Sequence, residues 1–316
     1  MNTADVASAR RRPLNREAAG EKSITINPRS PLLPVIVFVA PFVIAYCVLF
    51  LYPTLNMIAL SFTDAPLIGP GKWIGWRNYE RLLGDKLFLD SVAHTIYFVV
   101  LTVVPNTALG LVFALMVVRL NGWLQSMILA CFFLPYILPS TVVTLLWGWM
   151  LDFQFGIAQY FIAGLFGARV SVFKDPIWAM PMVAFVTIWW TNGFNVLLFI
   201  AGLRNISPEI YDAASVDGAG RWRKFWSITW PLIWPVTVLV LTFQLIIQLK
   251  IFDQVYLLTQ GGPFNSTYVV VQYIYKQAFT LNHGGYGATV GLFLFVMIAA
   301  LSVIQLLVLR TRGSAA

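Results

Sequence analysis

The sequence reads as an all-α, polytopic membrane protein with six transmembrane helices. Of its 316 residues, 59% are hydrophobic and only 11% charged, whereas a soluble domain carries about a quarter charged residues. One aqueous core cannot hide that much apolar surface, so lipid is the expected solvent. Crossing a hydrocarbon layer about 30 Å thick takes about 20 helical residues, and apolar runs of that length fall near 33–60, 92–118, 126–150, 177–203, 229–251 and 287–309. The runs are continuous and not alternating, which argues against a strand barrel.

Residues 1–30 are polar and carry Arg10, Arg11, Arg12, Arg16, Lys22 and Arg29 without an apolar run. They read as a disordered cytoplasmic tail, not a cleaved signal, and residues 31–316 as the membrane domain. The first connection, 61–91, mixes prolines, glycines, Trp73 and Trp76 with a short amphipathic segment around Tyr79 to Leu83. The connections 151–176 and 252–286 are mixed in character, and Gly261-Gly262-Pro263 breaks any helix in the second. Asn265-Ser266-Thr267 matches a glycosylation sequon, a three-residue pattern that by itself defines no site. Pro41, Pro105, Pro135, Pro139, Pro181 and Pro235 lie inside the spans and are expected to kink them, with neighbouring helices satisfying the freed carbonyls.

Six spans put both termini on one side. With the N-terminus inside, thirteen Lys and Arg residues fall in cytoplasmic segments and seven outside, so the excess of basic residues favours cytoplasmic N- and C-termini. The net charge of +8 is thereby explained by membrane orientation, without nucleic acid.

Enzymatic chemistry finds no support. No GxxxxGK[ST] phosphate loop occurs, so the chain is not expected to bind ATP itself. His94 and His283 have no HExxH context, and there is no GxSxG nucleophile elbow. No catalytic residue and no metal site is expected. Cys47 and Cys131 lie in apolar runs and read as small buried hydrophobes. Polar residues inside spans are the remaining signal. Thr187, Thr191 and Asn195 recur every four residues in the fourth span, beside Trp190 and Phe194, and Gln244 and Gln248 repeat that spacing in the fifth. Amides and rings together suit a neutral, hydroxyl-rich ligand. Interhelical hydrogen bonds, worth about 0.6 kcal/mol each, account for the same residues equally well. No acidic side chain lies near the centre of a span, so a carboxylate ion relay lacks its parts.

Between the fourth and fifth spans, residues 205–231 form an ordered polar interruption. Ser207-Pro208 reads as N-cap and first residue of a short helix, Glu209 and Asp212 favour its positive end, and Gly218 fits its stop. Arg221, Arg223 and Lys224 then anchor the chain at the membrane face before Pro231.

Asp212-Ala213-Ala214, Gly218 after three further residues, and Ile228-Thr229-Trp230-Pro231 after nine more resemble the EAA loop of permease subunits in binding-protein-dependent ABC importers. Asp212 stands where that pattern has Glu, and Trp230 where it has Leu. Tyr52-Pro53, Ser61-Phe62-Thr63-Asp64, Trp73-Ile74-Gly75, Asn78-Tyr79 and Ala201-Gly202-Leu203 resemble the carbohydrate-uptake branch. Val255-Tyr256-Leu257-Leu258-Thr259 with Gly261-Gly262-Pro263 is similar to the maltose-F-like half of its heterodimers.

The resemblance implies a type I ABC importer permease fold in a bacterial inner membrane. It implies a second, non-identical permease subunit, two copies of a cytoplasmic ATPase that uses ATP and Mg, a soluble solute-binding protein and a sugar substrate, with no cofactor on this chain. Tyr211, Asp212, Ala213, Ala214, Asp217, Gly218, Arg221, Ile228 and Pro231 would couple to the ATPase. Trp190, Thr191, Phe194, Asn195, Gln244, Ile247, Gln248 and Ile251 would line the substrate pathway, and Gln260, Gly261, Gly262, Pro263 and Phe264 would meet the binding protein. A permease of this class for a polyamine, amino acid or phosphate, or a stand-alone secondary transporter, stands as the alternative.

Overall fold

The computed structural model describes residues 32–313, and the expected tail at 1–30 lies outside them. The chain separates after Pro53 into two units. In the first, helix α1 (Leu32–Tyr46) runs into a widened turn, Cys47–Leu51, where the Tyr52 N–H reaches back five residues to the Cys47 carbonyl. The next residue is Pro53, which has no N–H and whose ring crowds the carbonyl four residues back; the wider turn makes room for it. The same device recurs at Phe225–Thr229 ahead of Trp230-Pro231.

The division falls inside the second helix, and the second unit carries the helices that follow it. After α2 (Tyr52–Leu60) come the short α3 (Arg77–Gly84) and the long α4 (Lys86–Val117). Next are α5 (Gly122–Ile137), α6 (Ser140–Met150), α7 (Ala158–Phe166) and α8 (Ala179–Arg204). Then follow α9 (Pro208–Val216), α10 (Arg221–Lys224), α11 (Trp230–Gln248), α12 (Asp253–Leu258), α13 (Val270–Tyr275) and α14 (Gly284–Gly313). Among the described residues the only pairing of extended backbone is one isolated bridge, Thr63 to Trp73. Leu111, Ala114, Val196, Phe199, Ile233 and Val240 form a core between α4, α8 and α11. Phe88, Tyr268, Tyr273, Tyr286 and Val290 form another between α4, α13 and α14. The helix α5 lies against α8 with no room to spare: a Cβ on Gly193 would stand 1.9 Å from the Phe132 carbonyl oxygen.

Five helical stretches are long and apolar enough to span, Ile36–Leu60, Lys86–Val117, Ala179–Arg204, Arg221–Gln248 and Gly284–Leu309. The sixth expected span, 126–150, is not one helix. It is the pair α5 and α6, bent by 100°. Pro135 and Pro139 remove two amide donors four residues apart, and Pro139 holds Leu138 extended at ψ 140°, outside the helical region.

Long-range contacts make this pair a span. Near its start, Gln125 accepts from Arg204 at the end of α8, 2.8 Å away. Beyond its end, Leu151 to Gln154 share a cavity with Thr259 and Gln260. The pair therefore runs from the face carrying α9 to the face carrying the 259–267 loop. The Gly285 N–H to Ala65 carbonyl bond, 2.8 Å, joins the start of α14 to the first connection on that second face, which requires an even number of crossings in between.

Two other expectations need correction. Pro181 kinks nothing, because as third residue of α8 it sits where the amide has no intrahelical partner. Cys131 is exposed, since an apolar side chain in such a protein is as well placed against lipid as in the core.

Candidate functional site

Where the middles of α4 and α8 meet the last turns of α11, hydrogen bonds link the polar residues in two runs, joined by Asn195 Nδ2 donating to the Asn106 carbonyl at 3.4 Å. Asn106 Nδ2 donates to Thr191 Oγ1 at 2.9 Å, and Thr191 Oγ1 donates in turn to the Thr187 carbonyl at 2.8 Å. Asn192 Nδ2 donates to Asn106 Oδ1 at 2.8 Å. Gln244 Nε2 donates to Asn195 Oδ1 at 2.7 Å, and Gln248 Nε2 to Gln244 Oε1 at 3.0 Å. All of these residues are buried, so the amides bind one another across three helices. The face shared by Thr187, Thr191 and Asn195 is as expected, but much of its hydrogen-bonding capacity is spent on packing. Asn106, at the centre of the chain of bonds, escaped the sequence reading because a lone Asn in an apolar run has no periodic partner.

A cavity of about 140 Å³ opens at the end of this chain of bonds, lined by Trp190, Thr191, Ile247, Gln248 and Ile251 and by the unforeseen Lys250 and Asp253. Five of the eight expected pathway residues thus share one space. Asn195 and Gln244 lie behind it in the hydrogen-bonded chain, and Phe194 turns away to stack on Tyr136 at 5.2 Å and pack on Phe243. Trp190 Nε1 donates to the Leu138 carbonyl, 3.1 Å away, at the break between α5 and α6. Ser140 Oγ donates to Asp253 Oδ2 at 2.6 Å, joining the start of α6 to that of α12.

Towards the second face lies a larger cavity of about 780 Å³, with Trp149, Phe153, Gln154, Lys174 and Gln260 in its wall. The adjoining loop is held by Thr259 Oγ1 and Thr267 Oγ1, 2.7 Å apart. It presents Gln260 and the 93% exposed Phe264 to solvent. Gly262 and Pro263 are half-buried, while Gly261 is buried and available to no surface partner.

On the opposite face, α9 has no buried residue. Ser207 Oγ accepts from the Glu209 N–H, Pro208 opens the helix, and Gly218 closes it at φ +75°, a backbone that side chains with a Cβ resist. Asp212, Ala213, Asp217, Gly218 and Arg221 are exposed; Tyr211, Ala214, Ile228 and Pro231 are half-buried. Two bonds tie this helix to the segment leading into α11, one to α10 and one to the residue before Trp230. The Tyr211 hydroxyl lies 3.0 Å from Thr229 Oγ1, and Lys224 Nζ donates to Ser215 Oγ. A load on α9 therefore reaches α11 through side chains as well as through the chain itself.

Six crossings, a small cavity between helices at the end of α11, and an exposed capped helix braced against one span define a membrane transport subunit. The chain belongs to the family of binding-protein-dependent transport system inner membrane components, which it matches over residues 106–312. It is 29% identical over 279 residues to the sulfoquinovosyl glycerol transport system permease protein SmoG of Agrobacterium fabrum, covering 88% of this chain and 90% of that one. It is 31% identical to the lactose transport system permease protein LacF of Rhizobium radiobacter, covering 87% and 93%. A crystal structure of a bacterial ABC transporter involved in import of the acidic polysaccharide alginate contains a chain of the same fold. Its TM-score is 0.79 at 21% identity, covering 88% of this chain and 96% of that one.

Proposed function

We propose that this chain is the permease subunit of an ATP-driven importer for a sugar or sugar derivative handed over by a soluble binding protein. The observation that carries the coupling half of this reading is α9. It is nine residues long, capped at both ends, unburied, and bonded to the segment leading into α11 through Tyr211 and Thr229. A short rigid helix of that kind suits a cleft on a separate ATPase. In this reading Tyr211, Asp212, Ala213, Ala214, Asp217, Gly218, Arg221, Ile228 and Pro231 form the contact and its hinge. Two ATPase copies bind the ATP and Mg, this chain holds neither, and both its termini are cytoplasmic. A second, non-identical permease completes the pathway. The sugar reading is supported by the relatives' names, which include lactose and sulfoquinovosyl glycerol systems. Trp190, Thr191, Ile247, Gln248 and Ile251 would meet the substrate directly, with Asn195 and Gln244 holding that wall in place. Gln260 and Phe264 would meet the binding protein.

Reconstituted vesicles test this. Uptake of a labelled sugar is expected only with the ATPase, the second permease and the loaded binding protein all present. Uptake by the chain alone would mean a secondary transporter, and ATP-driven uptake of only a non-sugar solute would overturn the substrate class.

A further inference from the structure

On the α9 face a cavity of about 350 Å³ is lined by Leu115, Val118 and Arg119 at the end of α4, by Leu203 and Tyr211, and by Arg221, Lys224, Phe225 and Thr229 in the helical segment leading into α11. Three of its lining residues are cationic and none is acidic. None of the three forms an ion pair among the described residues. Leu115, Val118, Leu203 and Phe225 supply an apolar wall on the same cavity. Unpaired positive charge on one side and hydrocarbon on the other, where spans meet the membrane surface, match a molecule that is anionic at one end and apolar at the other. Basic pockets between spans on the cytoplasmic side hold phospholipid head groups by this logic.

We propose that this cavity binds an anionic phospholipid, its phosphate held among Arg119, Arg221 and Lys224 and its acyl chain along Leu115, Val118 and Leu203. A free phosphate would satisfy the cations and leave the apolar wall without a partner. The lipid bridges the end of α4 to the segment leading into α11 beside Tyr211, so it braces the element that carries α9. The inference rests on the proposed function only for which leaflet supplies the lipid.

The test uses the full chain in nanodiscs of phosphatidylcholine with phosphatidylglycerol, and native mass spectrometry to count retained phosphatidylglycerol. Each cation removed is expected to weaken retention about fivefold, the equivalent of about 1 kcal/mol per basic residue near the surface. Arg119→Gln should therefore lose most of the lipid, while Arg119→Lys, which preserves the charge and serves as the folding control, should keep it. Millimolar inorganic phosphate should leave the wild-type count unchanged. Equal retention in Arg119→Gln, or release of the lipid by inorganic phosphate, would overturn the proposal. The count needs no ATPase, so failure of the ATPase to bind α9 would sink the proposed function and leave this result standing.

Discussion

Asn106 and Gln248 stand at different places in one chain of hydrogen bonds, and replacing them should separate packing from transport. Asn106→Leu leaves Thr191 Oγ1 without its donor and Asn192 Nδ2 without the Asn106 Oδ1 acceptor. Groups left unpaired inside a bundle cost about 1–3 kcal/mol in total, somewhat less where they find other partners in the membrane. Thermal unfolding in detergent should show the loss, and uptake should fall only with the amount of folded protein. Gln248→Leu breaks one bond to Gln244 but changes the wall of the small cavity. Its stability should drop by about 0.6 kcal/mol while the KM for uptake rises; an unchanged KM would remove the α11 face from the pathway. Asp85 offers a test by pH. Burial alone would raise its carboxyl, but hydrogen bonds from the Tyr273 hydroxyl, the Phe88 N–H and the Tyr286 hydroxyl outweigh it and hold the group below the usual value of 3.8. A carboxyl lowered in the folded state contributes stability above its unfolded value and loses it as pH falls through the folded one. Asp85→Asn keeps a capping side chain for α4 and removes the charge. Its melting temperature should lie below wild type at neutral pH, with the gap closing as the pH is taken below 3.8. A gap that stays constant with pH would show that the charge contributes nothing. At this scale the sequence disclosed what repeats: the four-residue spacing of Thr187, Thr191 and Asn195, and of Gln244 and Gln248. It concealed what does not repeat, such as Asn106, Lys250 and Asp253, which only the fold gathers.

Elements differ in how much of themselves they write locally. Helix α9 was legible down to its caps, because Ser207, Pro208 and Gly218 act on their immediate neighbours. The bend between α5 and α6 was legible in place but not in size: Pro135 and Pro139 marked a kink, while apolarity summed along a window has no direction and a span broken by 100° scores like a straight one. The widened turns before Pro53 and Pro231 were hidden for a related reason: proline announces a defect, and the surroundings choose how to absorb it. Two variants test these elements. In Gly218→Val, nothing lies within 4 Å of the new Cβ, so only the left-handed backbone at φ +75° is strained, at roughly 1–3 kcal/mol. The end of α9 should re-form in another conformation, and ATP hydrolysis in the assembled transporter should continue while uptake falls. Normal uptake per ATP would end the coupling role of Gly218. In Trp190→Phe an aromatic ring is kept, though a smaller one, and the Leu138 carbonyl at the bend loses its donor. A fall of about 1–3 kcal/mol in unfolding free energy is expected, and an unaltered unfolding midpoint would mean that the bend holds without Trp190.

The arrangement of the whole chain turns on whether α5 and α6 together cross the membrane. If they do, the first connection and the 259–267 loop share one face and α9 lies on the other. If they instead re-entered, three crossings would separate Ala65 from Gly285, two residues whose backbones are hydrogen-bonded at 2.8 Å. The contact therefore demands the crossing, although it does not say which face looks into the cell. Only the distribution of basic residues speaks to that, through a bias that acts during insertion and leaves no mark on packing. Single cysteines in a background lacking Cys47 and Cys131 would read both answers at once. Trp73 is 69% exposed in the first connection and Phe264 93% exposed in the loop, while Asp212 is exposed on α9. In right-side-out vesicles an impermeant maleimide should label Trp73→Cys and Phe264→Cys directly, and Asp212→Cys only after permeabilisation. Labelling of Trp73→Cys and Phe264→Cys from opposite sides would mean that the bent pair is no span. Labelling of Asp212→Cys alone in intact vesicles would keep the six crossings and invert them, placing α9 beyond the reach of any cytoplasmic ATPase.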